Sequence, residues 1–305
     1  MGLFSNLFGR KSASSASTPN DGTAVSLSLQ LLLEEWRIED EAALASALSA
    51  YDSSLRSARI SSFVRSETNS AFADIEWQNQ KFRLVAFDLP MPSEAVEHCL
   101  QPAAFDVEIK DQARAHAAHA LLFCDSLRAE ILQNYVRMAM LCGGLLETSG
   151  GLAVLNESAQ TAMFARTWHE TAELSRFEFW NTLPILFLYA GFVKFMRPES
   201  PEVWMTTRGL NVWGLPNLTT LAADHSQASK VFEHFNNIAA YLVSNGPVLA
   251  AGHTMQIGAN AFMRLREPQN DEERAVAGDY PLLVADFIGS DEANTSVFPS
   301  KGLSN

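Results

Sequence analysis

The chain has 305 residues, of which 47% are hydrophobic and 19% are charged, a composition typical of one large or two ordinary globular domains. Acidic residues outnumber basic ones by 35 to 22, and the net charge is −13. Nucleic-acid binding depends on Lys and Arg side chains that neutralise phosphates, and the sequence has no dense basic run. The composition therefore argues against nucleic acid as a partner.

The cysteines indicate a reducing compartment. Cys99, Cys124 and Cys142 are odd in number, lie far apart and have apolar neighbours, so we expect buried, reduced thiols. The sequence contains no CxxC pair of the kind that zinc ribbons and redox sites use. It also lacks a secretory signal and an apolar stretch long enough to span a bilayer as a helix. These features predict a cytoplasmic protein.

Residues 1–22 are predicted to be a flexible tail that is separate from the folded part. Four apolar residues of its tip fall on one side of a short helix, and a Ser/Ala-rich stretch follows. These residues are Leu3, Phe4, Leu7 and Phe8. We expect the tip to contact a protein partner or at most the surface of a membrane, and a disordered start without a role is the alternative. A polar tail is predicted over residues 291–305.

Residues 23–146 show the pattern of an α+β half. The predicted elements are a strand at 25–31, a helix at 40–51, hairpin strands at 72–77 and 82–87, a helix at 93–100 and a strand at 117–124. This β-α-β-β-α-β order is that of a ferredoxin-like fold. The last strand is continuously apolar, which predicts that both of its faces are covered. A helix at 126–142 follows, and Gly143 and Gly144 are expected to end it.

Residues 147–290 predict a second mixed α/β half, with mainly antiparallel sheet, packed on the first. Its predicted elements are strands at 152–155, 183–195, 203–207, 255–265 and 282–287 and helices at 158–174 and 224–245. The last of these helices has a capping residue, Asp224, an apolar stripe and a stop at Gly246. The predicted fold class is therefore α+β.

His116 and His119 are the first candidate for chemistry. Two imidazoles three residues apart share one face of a helix and can hold a metal ion there. A strand that begins at about Ala117 instead points them to opposite faces, and the zincin spacing is absent. We therefore expect these histidines to be structural, and neither a metal nor a cofactor is predicted.

A polar loop with several glycines, residues 206–216, is the second candidate. It is predicted to connect a strand to a helix, where its backbone amides and side chains can cradle an anion. A tight turn that needs glycine for its dihedral angles is the structural alternative. His253 completes the set if the fold brings it near this loop. The residues of the candidate pocket are His116, His119, Thr206, Thr207, Arg208 and His253.

Three separated stretches together resemble a known family. Residues 206–218 are similar to the Thr-Thr-x-Gly-Leu…Gly-x-Pro-x-Leu stretch of the bacterial domain-of-unknown-function family 4261, and residues 241–255 are similar to a later run of that family. The stretch at 116–119, followed by an apolar strand, resembles its His-x-x-His element. The resemblance spans residues 24–288 and implies kinship of fold and a bacterial origin, but no activity.

Two functions remain open from the sequence. The first is a non-catalytic protein-binding factor of the partner, adaptor or immunity type, which the acidic charge and the separate tip favour. The second is a metal-dependent or anion-binding enzyme that uses His116, His119 and His253 together with the loop from Thr206 to Gly214. The position of these side chains in the folded chain distinguishes the two.

Overall fold

The computed structural model describes residues 24–67, 69–169, 175–246, 249–278 and 280–289. The described chain forms two compact units. The first unit contains residues 24–194 and 207–213, and the second contains residues 195–206 and 214–289. The predicted tails at 1–22 and 291–305, with the apolar tip, lie outside the described residues.

The first unit contains a seven-stranded, antiparallel sheet. Its strands are β1 (Ala24–Leu33), β2 (Arg59–Arg65), β3 (Ser70–Trp77), β4 (Gln80–Phe87), β5 (Ala118–Leu127), β6 (Gly151–Asn156) and β7 (Thr161–Phe164). They lie in the order β2-β3-β4-β5-β1-β6-β7. The predicted halves meet at residues 146–147, whereas the compact units divide at 194–195, because β6 pairs with β1 and β7 pairs with β6.

Helices cover this sheet unequally on its two faces. They are α1 (Glu41–Tyr51), α2 (Ser93–Leu100), α3 (Val107–Arg114), α4 (Ile131–Ser149), α5 (Arg166–His169), α6 (Arg176–Thr182) and α7 (Ile185–Leu188). The long helix α4 contacts β1, β5 and β6, and α1 packs on α4. Helices α2 and α3 lie on the opposite face, over β6, β7 and the end of β1 at Leu32.

The α+β class and the mainly antiparallel sheet are confirmed, but the ferredoxin-like strand order is not. A ferredoxin-like arrangement would place β1 between β5 and β4. Instead β5 lies between β1 and β4 and pairs with both of them along its length. The connection through α2 and α3 brings the chain back beside β4, so that β5 pairs with β4. The sheet also contains β2, which pairs with β3 and which the sequence did not predict.

The predicted end of the helix at Gly143 and Gly144 is wrong, because α4 continues through both residues to Ser149. Gly150 ends the helix with φ of 63°. The two glycines instead allow α1 to approach closely. A Cβ atom on Gly144 would lie 2.9 Å from the Cα of Leu48, and one on Gly143 would collide with the ring of Tyr51.

Two further predictions in the middle of the chain are wrong. The segment predicted as a helix at 158–174 turns at Gln160, whose φ is 51°, and continues as β7 and α5, while residues 170–174 lie outside the described part. The segment predicted as a strand at 183–195 begins as α7, because Pro184 suits the start of a helix. Only its second part, from Gly191, is a strand.

The second unit is built on a six-stranded sheet in the order β11-β12-β13-β10-β9-β8. Its elements are β8 (Gly191–Met196), β9 (Val203–Arg208), β10 (Asn217–Ala222), α8 (Ala228–Asn245), β11 (Thr254–Gly258), β12 (Ala261–Arg266), α9 (Asp271–Ala277) and β13 (Leu282–Gly289). The boundary between the units falls within β8 and β9. The pair β10–β13 is parallel, whereas β12 pairs with β13 in the antiparallel direction.

Helix α8 follows its predicted stripe, since Val231, Phe235, Ile238 and Leu242 are all buried and Gly246 ends the helix with φ of 63°. The predicted cap differs in detail. Asp224 accepts a hydrogen bond from the amide of Ser226 and begins a 3-10 turn ahead of the helix.

A charged cluster holds α9 against the sheet of the second unit. The guanidinium of Arg266 donates two parallel hydrogen bonds of 2.8 Å to Glu273 and one of 2.9 Å to Asp286. The carboxylate of Glu273 also accepts a hydrogen bond from the amide of Gln269 at 2.6 Å. These bonds lower the pKa of Glu273, chiefly through Arg266.

Within the described part of the chain, no helix is long and apolar enough to cross a membrane.

Candidate functional site

His116 lies in the first unit, between α3 and β5, with 6% of its surface exposed. Its Nε2 accepts a hydrogen bond from the amide of Met91 at 2.9 Å, and its Nδ1 lies 2.9 Å from the carbonyl oxygen of Ala113. The tautomer with a proton on Nδ1 satisfies both contacts. Both ring nitrogens are therefore used to join the loop after β4 to the end of α3.

His119 lies on β5 and contacts the same loop after β4. Its Nδ1 donates to the carbonyl oxygen of Leu89 at 2.7 Å, and its ring stacks on Phe87 at 4.9 Å between centroids. Burial lowers the pKa of His119, which favours the neutral ring. Each of the two histidines thus binds a backbone group of the β4–α2 connection.

We expect His116→Ala to lower the unfolding free energy by about 2 kcal/mol, because it leaves the buried amide of Met91 without its acceptor. Denaturant unfolding of the full chain measures this loss. His98→Ala, at an exposed position on α2, is the control and is expected to change little. The same proteins, purified without a His tag, should have equal metal contents. A metal ion bound by the wild type and lost from His116→Ala would favour the enzyme hypothesis instead.

The threonines of the second candidate lie within a strand. Thr206 and Thr207 belong to β9 and are fully buried. The hydroxyl of Thr206 donates to the carbonyl oxygen of Leu218 on β10 at 3.1 Å. That hydroxyl therefore contributes to the pairing of two adjacent strands.

The loop that follows connects β9 to the antiparallel strand β10, and not to a helix as the sequence predicts. It contains a 3-10 turn, Leu210–Trp213, flanked by Gly209 and Gly214 with φ of 84° and 72°. A Cβ atom on Gly209 would lie 3.1 Å from the Cα of Ala159 in the same unit. The glycines thus meet the needs of a tight turn.

His253 and Thr206 lie far apart within the second unit. His253 precedes β11, and its carbonyl oxygen accepts from the amide of Leu265 on β12. Strands β12, β13 and β10 separate β11 from β9, a distance of about 19 Å across the sheet at the usual strand spacing. The fold brings His116 and His119 together around one loop, and it leaves His253 next to the edge strand β11, four strand positions from Thr206 on β9.

The side chains that commonly bind metals show no cluster in the described ranges, where no group of three or more His, Cys, Asp or Glu residues is placed to hold an ion. The three cysteines are free and buried, as predicted. Burial raises the pKa of Cys99 and Cys124 to about 12 and raises that of Cys142 as well, so these thiols are poor nucleophiles.

A different feature of the first unit is suited to binding. Five apolar side chains form a row across β2, β3, β4 and β5 on the sheet face opposite α4. They are Val64, Phe72, Val85, Leu121 and Phe123, and we call them the open row. Val64 is 56% exposed and Phe72 is 43% exposed, while the other three are half-buried.

The strand register places the members of the open row side by side. Val64 lies opposite Phe72, Phe72 opposite Val85, and Val85 opposite Leu121. Phe123 is two residues from Leu121 on β5 and therefore projects from the same face. The row forms a continuous apolar strip across four strands.

Polar residues border this strip. Arg83 of β4 lies 3.8 Å from Asp74 of β3, and both are exposed. On the same face of these two strands, the next pair is Glu76 opposite Lys81. An apolar centre with a charged rim of both signs is the usual composition of a protein-binding surface.

The strip is open because the helices on its face are displaced to the other end of the sheet. Helices α2 and α3 pack on residues of β1, β6 and β7, including Leu32, Leu155 and Phe164. The prediction that the strand at 117–124 is covered on both faces is therefore wrong at Leu121 and Phe123. The signal for a second apolar face was present at Phe72 and Val85, which alternate with the buried Ala73 and Leu84.

The edge strand β2 limits pairing with another strand. Its register shifts between Ser61 and Val64, and Ser62 has φ of 58°. Arg59 and Arg65 add charge to the edge. Irregular backbone and charge discourage the addition of a further strand, so the face is better suited to binding than the edge.

The class of protein defined by this fold is an α+β protein with two mostly antiparallel sheets. Residues 206–277 match the family described as a domain of unknown function, DUF4261, which supports assignment to that family. The match contains the turn after β9 and the stretch before β11, whereas His116 and His119 lie outside it. No curated protein and no solved structure shows significant similarity to the chain.

Proposed function

We propose that the protein is a bacterial, cytoplasmic, non-catalytic protein-binding factor whose partner contacts the open row. The observation that carries this proposal is the uncovered apolar strip formed by Val64, Phe72, Val85, Leu121 and Phe123. The buried thiols support the reducing compartment.

The energetics favour this surface as a binding site. Phe72 exposes 43% of an aromatic side chain at the middle of the strip, where a partner would remove it from water. Aromatic residues at the centre of an interface commonly contribute most of the binding free energy. The charged pairs beside the strip, Asp74–Arg83 and Glu76–Lys81, would select among partners.

The other candidate residues support binding over catalysis. His116 and His119 use ring nitrogens to hold backbone groups, and the hydroxyl of Thr206 binds a neighbouring strand. Their geometry serves the stability of the fold. The open row has no such structural task on its exposed side.

The test is capture followed by measurement with the purified partner. The immobilised full chain is exposed to a lysate of the source bacterium at physiological salt, and the captured protein is then purified. We expect Phe72→Glu to weaken its binding by about 30-fold, the effect of losing a central contact of about 2 kcal/mol.

Val107→Glu is the matched control. Val107 is 65% exposed at the first turn of α3, where an acidic residue is tolerated, and it is not part of the open row. Its affinity for the partner should equal that of the wild type. The proposal is wrong if no protein is captured, or if a captured protein binds Phe72→Glu as tightly as the wild type.

A further inference from the structure

The open row has a suitable occupant in the same chain. We propose that the N-terminal tip, residues 3–8, docks on the open row of its own chain and competes there with the protein partner. The competition rests on the proposed function, whereas the docking does not require a partner.

The point where the described chain begins places the tip within reach. Ala24 starts β1 opposite Leu127 of β5, in the same sheet as the open row. Phe123 is four residues from Leu127 along β5, about 13 Å away at the usual rise of a strand. Phe72 lies six residues further along the sheet and three strands across from Ala24, about 25 Å away.

The connecting segment has a span close to this distance. A random coil of the length of residues 9–23 has a root-mean-square span of about 21 Å. A tether whose span equals the distance between its ends gives the highest effective concentration, which is on the order of millimolar. A contact too weak to form between separate molecules is then populated within one chain.

The chemistry of the tip complements the strip. Leu3, Phe4, Leu7 and Phe8 repeat at helical spacing, so a single turn or two presents them on one side. Such a short helix is marginal in water and gains stability when its apolar side is covered. The open row offers an apolar surface of matching kind, with aromatic and aliphatic side chains on four adjacent strands.

A disulfide trap in the full chain tests the docking. Ser5→Cys places a thiol within the tip without removing an apolar residue, and Val64→Cys places its partner at the exposed end of the open row. The native thiols Cys99, Cys124 and Cys142 are buried and do not compete. The matched control pair is Ser5→Cys with Val107→Cys, because Val107 is 65% exposed, against 56% for Val64, and lies outside the row.

Under mild oxidation we expect an intramolecular disulfide in the Val64 pair, about tenfold faster than in the control pair, because docking raises the local concentration of the two thiols. The rate should not depend on protein concentration. Adding Phe4→Ser and Phe8→Ser should reduce it to the control rate.

Three results would overturn the inference. Equal rates in both pairs would mean random collision of the tail with the surface. Linked dimers whose yield rises with protein concentration would make a second copy the occupant. Binding of the tip to anionic vesicles, with no excess of the disulfide, would make a membrane its target. The disulfide experiment contains no partner, so a negative result there does not contradict the proposed protein-binding function. A negative result in the capture experiment likewise does not contradict docking of the tip.

Discussion

Arg266→Met is expected to lower the unfolding free energy of the second unit by about 3 kcal/mol, the usual cost of removing one member of a buried ion pair. Glu273 is 5% exposed and would keep its negative charge without the guanidinium that binds both of its oxygens. Denaturant unfolding of the full chain, followed by circular dichroism, measures the loss.

Arg274→Met is the matched control on the same helix. Arg274 pairs with Asp271 at 3.1 Å, but both side chains are largely exposed. Such a pair contributes less than about 1 kcal/mol. The double variant Arg266→Met/Glu273→Leu should recover most of the stability, because it removes the buried charge of Glu273, while Asp286, which also loses Arg266, is 40% exposed to water. Equal effects of Arg266→Met and Arg274→Met would show that the cluster does not hold α9.

The same cluster predicts a dependence on pH. The pKa of Glu273 is lowered in the folded protein, so the folded state binds fewer protons than the unfolded state in acid. Its contribution is fully present above the ordinary glutamate pKa of about 4.3 and disappears as the pH falls through the lower folded value. Below pH 4.3 the wild type should therefore lose stability more steeply than the double variant.

Gly144→Ala is expected to destabilise the first unit by about 2 kcal/mol, although alanine favours a helix over glycine by about 1 kcal/mol. The added Cβ would lie 2.9 Å from the Cα of Leu48 and 2.9 Å from the carbonyl oxygen of Ala47. Since these are backbone atoms of α1, the two helices must separate. The midpoint of thermal unfolding measures the effect.

Gly143→Ala is the comparison for Gly144→Ala, because the atoms nearest to its added Cβ belong to the ring of Tyr51, a side chain that can be removed. In a Tyr51→Ala background, Gly143→Ala should cause no further loss, whereas Gly144→Ala should still cause its full loss. Gly258→Ala is the control, since its Cβ would make an ordinary contact of 3.5 Å with Ala261. Increased stability of Gly144→Ala would show that α1 and α4 are not in close contact.

The sequence by itself determined the elements whose signals are local. The alternation in β1, the stripe of α8 and the helix stop at Gly246 each depend on residues a few positions apart, and the structure confirms them. The apolar neighbours of the cysteines likewise predicted that these residues are buried. Asn270 with Glu273 three residues later, the pair at the start of α9, is a local signal of the same kind.

Only the tertiary structure decided the strand order, the role of Gly143 and Gly144 and the position of the open row. Strand pairing joins residues distant in the sequence, so the placement of β5 between β1 and β4 has no local signal. A glycine pair looks the same whether it ends a helix or admits a neighbouring one. An apolar residue such as Phe72 is likewise exposed or buried according to which helices reach its face of the sheet, and α2 and α3 stop short of it.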